Sequence, residues 1–122
     1  MNKGGAKIWY FPDRYLPEKI PGAKLEAHES LMLLNTEETD AHVKIDIYYS
    51  DRASGKNILW AVFAERIIAL RLDKPDEIGV EIPHLTQYVL RITSDTSIVA
   101  QFGRRDTTQS NMAYYGCIGY SE

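Results

Sequence analysis

The segment from Ala41 to Ser50 alternates strictly between apolar and polar residues, and this alternation constrains the fold more than any other feature. A period of two is typical of a β-strand with one face in a core and the other toward water. The apolar side holds Val43, Ile45, Ile47 and Tyr49, and the polar side holds His42, Lys44, Asp46, Tyr48 and Ser50. The polar side carries more hydrogen-bonding groups than solubility requires, and we therefore look for function there.

The rest of the chain shows short apolar stretches separated by polar turns. The predicted strands are residues 7–11, 26–34, 41–50, 57–63, 66–72, 88–93, 97–104 and 112–120. Turns are predicted between them, among others at Pro12-Asp13, Asp73 to Asp76 and Ser94 to Thr96. Such spacing predicts an all-β fold, an antiparallel β-sandwich of about eight strands. Little helix is expected, with a turn or two within Pro83 to Val89 as the best candidate. The predicted core contains Leu33, Val43, Ile45, Ile47, Val62, Leu70, Ile98 and Ala100.

Length and charge restrict the possible classes of protein. The chain has 122 residues, which fits a single domain over 1–122 that buries roughly two thirds of its unfolded surface. Lys plus Arg is 14 against 17 for Asp plus Glu, a net charge of -3. The only basic cluster is Arg104-Arg105, so binding to duplex nucleic acid, which depends on a concentrated basic patch, is not expected.

The single cysteine, Cys117, has no partner for an intramolecular disulfide, which favours a cytoplasmic location. Residues 1–6 lack the apolar core of a signal peptide, and no segment approaches the ~20 apolar residues of a membrane helix. Direct membrane insertion is therefore not expected. Strands 57–63 and 112–120 are apolar on both faces, which favours a homo-oligomer.

A set of short motifs runs through almost the whole sequence in a fixed order. The motifs are Trp9, Tyr15-Leu16-Pro17, His28-Glu29, Asn35, the segment from Asp40 to Asp51, Ala64, Arg66, Arg71, Ile82-Pro83, Ile98-Val99, the Gln101-x-x-Arg104-x-Asp106-x-x-Gln109 signature, and Tyr120. Together they resemble the sensory rhodopsin transducer family, small soluble proteins named for a member that partners a microbial rhodopsin. The resemblance implies a β-sandwich and a homotetramer. The chain departs from the family pattern at Phe63, Ala69 and Phe102-Gly103.

The polar residues of these motifs supply donors and acceptors of both kinds, which a polyhydroxylated or carboxylated small molecule needs. The predicted ligand-binding residues are His42, Tyr48, Arg66, Gln101, Arg104, Asp106 and Gln109. Arg104 is the expected anchor, since its planar fork grips a carboxylate or paired hydroxyls. The alternative is that Arg104 and Asp106 only pair with each other, and that Trp9 and Tyr48 belong to a core or an interface.

Metal and catalytic sites are not expected. If residues 35–40 join two paired strands with Leu34 opposite Ala41, His28 and His42 lie roughly 16 Å apart at ~3.3 Å per residue, too far to share a zinc ion. No cofactor motif is present. Glu29 and Asp51 could act as acid and base, but ordinary salt bridges explain them better because no nucleophile elbow or phosphate loop accompanies them.

Two functions remain. The first is a non-catalytic, cytoplasmic module that binds and senses a polar small molecule such as a sugar-like metabolite. The alternative is a signalling adaptor that docks on the cytoplasmic face of a membrane photoreceptor or another receptor.

Overall fold

Eight β-strands and one short helix make up the described part of the chain, which is residues 5–15, 28–83, 86–106, 113–117 and 119–122 of a computed structural model. The elements are β1 (Ala6–Tyr15), β2 (His28–Asn35), β3 (Ala41–Tyr49), β4 (Gly55–Val62), β5 (Arg66–Arg71), α1 (Pro75–Ile78), β6 (Gln87–Asp106), β7 (Ala113–Cys117) and β8 (Tyr120–Ser121). The predicted all-β class is confirmed.

The 20-residue strand β6 belongs to both layers of the sandwich. Its first half lies in sheet A, with the order β4-β3-β6-β1-β8, and its second half lies in sheet B between β2 and β7, with β5 beyond β2. All pairs are antiparallel. The register passes from Ser94 in sheet A to Val99 in sheet B. We call the end of the sandwich that contains this bend, residues 94–98 with the neighbouring connection 36–40 and residues 62–64, the crease. The opposite end, which holds Tyr88 of sheet A and Arg104 of sheet B, is called the open end.

The core lies between the two sheets. All eight residues that the alternation predicted to be buried are buried, at 5% exposure or less. Phe11 of sheet A and Phe102 of sheet B are in contact across the core, with ring centroids 5.8 Å apart. Trp9 is also buried, and its indole nitrogen donates to the Ile98 carbonyl at 3.0 Å. Trp9 is therefore a core residue rather than a surface for ligand stacking.

The predicted pairing of Leu34 with Ala41 is wrong. Strand β2 pairs with β5 and β6 in sheet B, whereas β3 pairs with β4 and β6 in sheet A. Residues 36–40 thus carry the chain from one sheet to the other instead of closing a hairpin. A five-residue connection is long enough for either path, and side-chain hydrogen bonds described below hold the crossing.

Two predicted turns are continuous strand. Ser94 to Thr96 lie within β6, where the chain bends between the sheets without reversing. Pro12-Asp13 lie within β1, at a register shift between Phe11 and Arg14. Polar and proline residues mark a turn or a bulge equally well, since both interrupt the regular ladder.

The described helix lies outside the range Pro83 to Val89 where a turn or two was predicted, and residues 84–85 of that range are not among the described residues. It spans Pro75–Ile78, which the sequence reading assigned to a turn. Proline at its start and Gly79 in the left-handed conformation at its end are the usual boundary signals. The predicted last strand is divided, since β7 pairs with β6 in sheet B and β8 pairs with β1 in sheet A.

Strand β4 has apolar residues on both faces, as predicted. Val62 is buried, whereas Leu59 is 73% exposed, and Phe63 just beyond the strand is 63% exposed. Within the described ranges, no helix has the length and apolar character needed to span a membrane.

Candidate functional site

The crease is held by Asn35, which is fully buried. Its amide nitrogen donates to the carbonyl of Thr39 at 2.8 Å and to that of Val62 at 3.0 Å. Its oxygen accepts the N–H of Glu37 at 3.0 Å. One side chain thus joins the end of β2, the connection 36–40 and the end of β4. The geometry assigns Asn35 a structural role, although it belongs to the family pattern.

Two carboxylates complete the crease. Asp40 accepts the N–H of Ala64 at 2.9 Å. Asp95 accepts the N–H of His42 at 2.8 Å and lies 2.8 Å from its imidazole Nδ1. The backbone N–H of His42, followed by its imidazole, holds the pKa of the Asp95 carboxyl below its usual range. His42 therefore ties β3 to the bend of β6, and this contact accounts for its place in the polar face of β3.

The open end contains a buried carboxylate. Glu29 is only 1% exposed and accepts a hydrogen bond from the hydroxyl of buried Tyr88 at 2.7 Å. Because Tyr88 lies in sheet A and Glu29 in sheet B, this bond bridges the two layers. Arg104 is the register partner of Glu29 on the neighbouring strand. Burial of a charged group is expensive unless it is well paired, so the position is a candidate for function.

A second polar pair lies beside it. Arg71 donates to both carboxylate oxygens of Asp73, from Nε at 3.0 Å and from Nη2 at 2.7 Å. The backbone of the next residue, Leu72, donates to the Glu29 carbonyl at 2.9 Å. The Asp73 side chain is 1% exposed. The open end therefore holds the buried carboxylates of Glu29 and Asp73, and Glu29 is the register partner of Arg104.

The outer face of sheet A carries a third polar group of residues. Tyr48 is 36% exposed, and the ammonium of Lys56 lies 5.6 Å from the centre of its ring. Arg91, on the neighbouring β6, lies over the ring of Tyr10 at 6.0 Å. On this face Asp46 is buried and accepts the N–H of Asn57 at 3.0 Å, where β4 has a positive φ and the ladder has a bulge.

The seven predicted ligand-binding residues do not lie together among the described side chains. His42 and Tyr48 are on the outer face of sheet A but six residues apart on one strand, roughly 20 Å at ~3.3 Å per residue. Gln101 is exposed on sheet B, opposite Met32. Arg66 is exposed at the start of β5, where it donates to the Glu65 carbonyl at 3.1 Å.

The other three predicted residues are only partly covered. Arg104 and Asp106 have described backbones in β6, paired with Tyr115 and Ala113, but their side chains lie outside the described part of the structure. Gln109 lies wholly outside the described residues. Their binding of a ligand stays a prediction.

Two shallow grooves border strand β4. One, of about 290 Å³, is lined by His42, Val43, Lys44, Leu59, Trp60 and Ala61. The other, of about 450 Å³, lies between β4 and Gly79-Val80. Among the described residues, no group of three or more His, Cys, Asp or Glu side chains is arranged to hold a metal ion.

Sequence reasoning missed Tyr88 and Arg91 and preferred Arg66 to Arg71. One signal was present for the open end. Glu29 shares the parity of buried Leu31 and Leu33 on β2, so alternation alone places its carboxylate inward. Nothing in the sequence pairs Glu29 with Tyr88, which is 59 residues away.

Residues 4–121 match the family model described as Anabaena sensory rhodopsin transducer. The chain belongs to the sensory rhodopsin transducer family. It is similar to the crystal structure of Thermotoga maritima 1070, with 30% identity and a TM-score of 0.85 over 98% of this chain and 97% of that one. It is also similar to the structure of the Anabaena sensory rhodopsin transducer, with 31% identity and a TM-score of 0.71 over 84% of this chain and 99% of that one. Among curated protein sequences, none matches the chain.

The departures from the sensory rhodopsin transducer pattern fall at different places in the fold. Phe102 is fully buried against Phe11 and therefore adds to the core. Phe63 and Ala69 are exposed, Phe63 beyond β4 and Ala69 on β5. These two changes alter the surface of this member of the family rather than its core.

Proposed function

We propose that this chain is a non-catalytic, cytoplasmic sensing member of the sensory rhodopsin transducer family that binds a polar small molecule at the open end of the sandwich. The observation that carries the proposal is the buried carboxylate of Glu29. It lies under the Tyr88 hydroxyl and beside the register position of Arg104. A carboxylate of this kind presents acceptors to ligand hydroxyls, and an arginine nearby supplies donors.

Several features support the open end over the crease as the binding site. At the crease, Asn35, Asp40 and Asp95 use their polar atoms on backbone groups of the protein. The part of the signature from Gln101 to Asp106, by contrast, lies on β6 toward the open end, whereas Gln109 is outside the described residues. The backbone of Arg104 and the buried Glu29 are register partners at that end.

The proposal is tested by titrating the purified protein with glucose, inositol, gluconate and citrate, using calorimetry and thermal shift. We expect at least one probe to bind, Arg104→Ala to abolish that binding, and the melting temperature of this variant to stay close to that of the wild type. Arg66→Ala is the matched control, since Arg66 is exposed away from the open end. If Arg104→Ala lowers the melting temperature strongly but still binds the probe, Arg104 is a salt-bridge partner and not a ligand-binding residue.

A second candidate is an adaptor that docks on a membrane photoreceptor or another receptor. Two observations favour it: the name of the similar Anabaena protein, and exposed apolar side chains at Leu59, Phe63, Ile67 and Tyr120. The same surfaces would serve a homotetramer, since large exposed apolar residues on sheet faces mark interaction sites.

Sedimentation velocity separates these uses of the apolar surface. If the protein sediments as a tetramer and Leu59→Asp dissociates it, the β4 surface mediates self-assembly. If the protein is a monomer at micromolar concentration, co-sediments with receptor-containing vesicles, and no longer does so with Leu59→Asp, the β4 surface binds the receptor.

A further inference from the structure

The outer face of sheet A carries a cluster of hydrogen-bond donors around Arg91. Arg91 is the register partner of Tyr10 on β1 and of Asp46 on β3, so it lies in the middle of the sheet. Its guanidinium is 6.0 Å from the ring centre of Tyr10. The nearby oxygen of Tyr10, and more weakly that of Tyr48, raises the pKa of Arg91. We call Tyr10, Tyr48, Lys56 and Arg91 the Arg91 cluster.

The side chains of the Arg91 cluster offer more hydrogen-bond donors than acceptors. A guanidinium has five N–H donors and no acceptor, and a neutral phenol can donate its own proton. Arg91 and Tyr10 are register neighbours, and Tyr48 lies on the same face of the adjoining strand. Lys56, exposed and 5.6 Å from the Tyr48 ring, adds a further cation that only donates. Two hydroxyl protons and two cations therefore share one surface.

Among the described side chains, the carboxylate in register with Arg91 is that of Asp46, and it is engaged by other groups. Asp46 lies opposite Arg91, but it is 3% exposed, accepts the N–H of Asn57 at 3.0 Å and lies 3.9 Å from the ammonium of Lys44. Its remaining charge is offset by Lys44. Arg91 and Lys56 thus give a local positive field in a chain whose net charge is -3.

We propose that the Arg91 cluster is a binding site for an oxyanion, the carboxylate or phosphate group of a small molecule. Charge-assisted hydrogen bonds from arginine and hydroxyl groups are the strong interactions that such groups make with proteins. The site is on the outer face of sheet A, whereas the Glu29–Tyr88 contact lies between the two sheets, so the inference is independent of the proposed function. Because it is open to solvent, its affinity for a single oxyanion should be modest, in the millimolar range, about 4 kcal/mol of binding free energy.

The test uses uniformly ¹⁵N-labelled protein in an uncharged buffer at fixed ionic strength, titrated separately with inorganic phosphate and with citrate. We expect saturable amide shifts centred on Tyr10, Tyr48 and Arg91 with at least one anion, and the tighter of the two identifies the preferred group. Tyr10→Phe and Tyr48→Phe remove only the hydroxyl donors and should each weaken binding several-fold. Arg91→Gln should weaken it at least tenfold.

The controls separate this site from the other surfaces. Lys74→Gln, which removes a cation before α1, should leave phosphate and citrate binding unchanged. The amide shifts of Tyr10 and Arg91 report on the outer face of sheet A and not on the open end, so a failure here does not affect the open-end proposal. The inference is overturned if neither anion gives saturable shifts at the cluster, or if both tyrosine variants bind as the wild type does.

Discussion

Some polar side chains in this protein bond the backbone of connections, and others bond side chains across the two sheets. Asn35 is the clearest example of the first kind, because it bonds four backbone groups of the connection 36–40 and residues 62–63. Glu29 is an example of the second kind, since its carboxylate accepts a hydrogen bond from the Tyr88 hydroxyl across the two sheets. A residue of the first kind should affect stability when changed, and one of the second kind should affect binding.

Asn35→Ala should therefore lower the free energy of unfolding by about 3 kcal/mol. The change leaves buried backbone groups such as the Val62 carbonyl without a partner, and each such loss costs roughly 1–3 kcal/mol. Urea unfolding of the purified protein measures the difference. Thr36→Ala, an exposed change in the same connection, is the control. If Asn35→Ala lowers the free energy of unfolding no more than the control does, Asn35 does not stabilise the crease.

At the scale of elements, strand β6 decides the architecture because it is shared by both sheets. The bend at residues 94–98 stands where a turn was predicted, and the His42–Asp95 contact ties it to β3. The polar run Ser94-Asp95-Thr96 would suit a turn in isolation. Here its middle residue is bound by a neighbouring strand, which keeps the chain extended.

This contact predicts a small pH dependence of stability. The pKa of Asp95 is depressed in the folded protein, so its contribution is present above the unfolded value near 3.8 and is lost as pH falls through the folded value. The side chain is 54% exposed, so the contribution should be below about 1 kcal/mol.

The measurement compares the wild type with Asp95→Asn by urea unfolding at pH 7 and again below pH 3. The difference in unfolding free energy between the two proteins should be present at pH 7 and shrink at the lower pH. A difference that grows as the pH falls would mean that the charge of Asp95 destabilises the crease.

At the scale of the whole molecule, the stability of the core comes from side chains that the alternation of apolar and polar residues already identifies. Ile45 is fully buried in the central region of sheet A, paired with Ile58 and Ile92. Ile45→Ala should cost on the order of 2–5 kcal/mol, through lost burial and the cavity left behind. Chemical unfolding measures the loss, with exposed Glu38→Ala as the control. A loss below about 1 kcal/mol would contradict the observed packing.

The sequence predicted the fold class and the core well because inward and outward parity is a local property of each strand. Val43 and Ile45 are examples, and Glu29 obeys the same rule. The pairing of strands could not be obtained in this way, since the connection from Asn35 to Ala41 can either reverse the chain or cross between sheets. The site was harder still, because the contact between Glu29 and Tyr88 depends on how two sheets face each other.

Amide chemical-shift mapping tests the proposed ligand site at the open end. The ¹⁵N-labelled protein is titrated separately with glucose, inositol, gluconate and citrate. We expect at least one of them to give saturable shifts concentrated at Glu29, Tyr88 and Arg104, and Arg104→Ala to remove these shifts. Shifts confined to the crease around His42 and Asp95, or no saturable shift at the open end with any of the four compounds, would show that the open end is not the binding site.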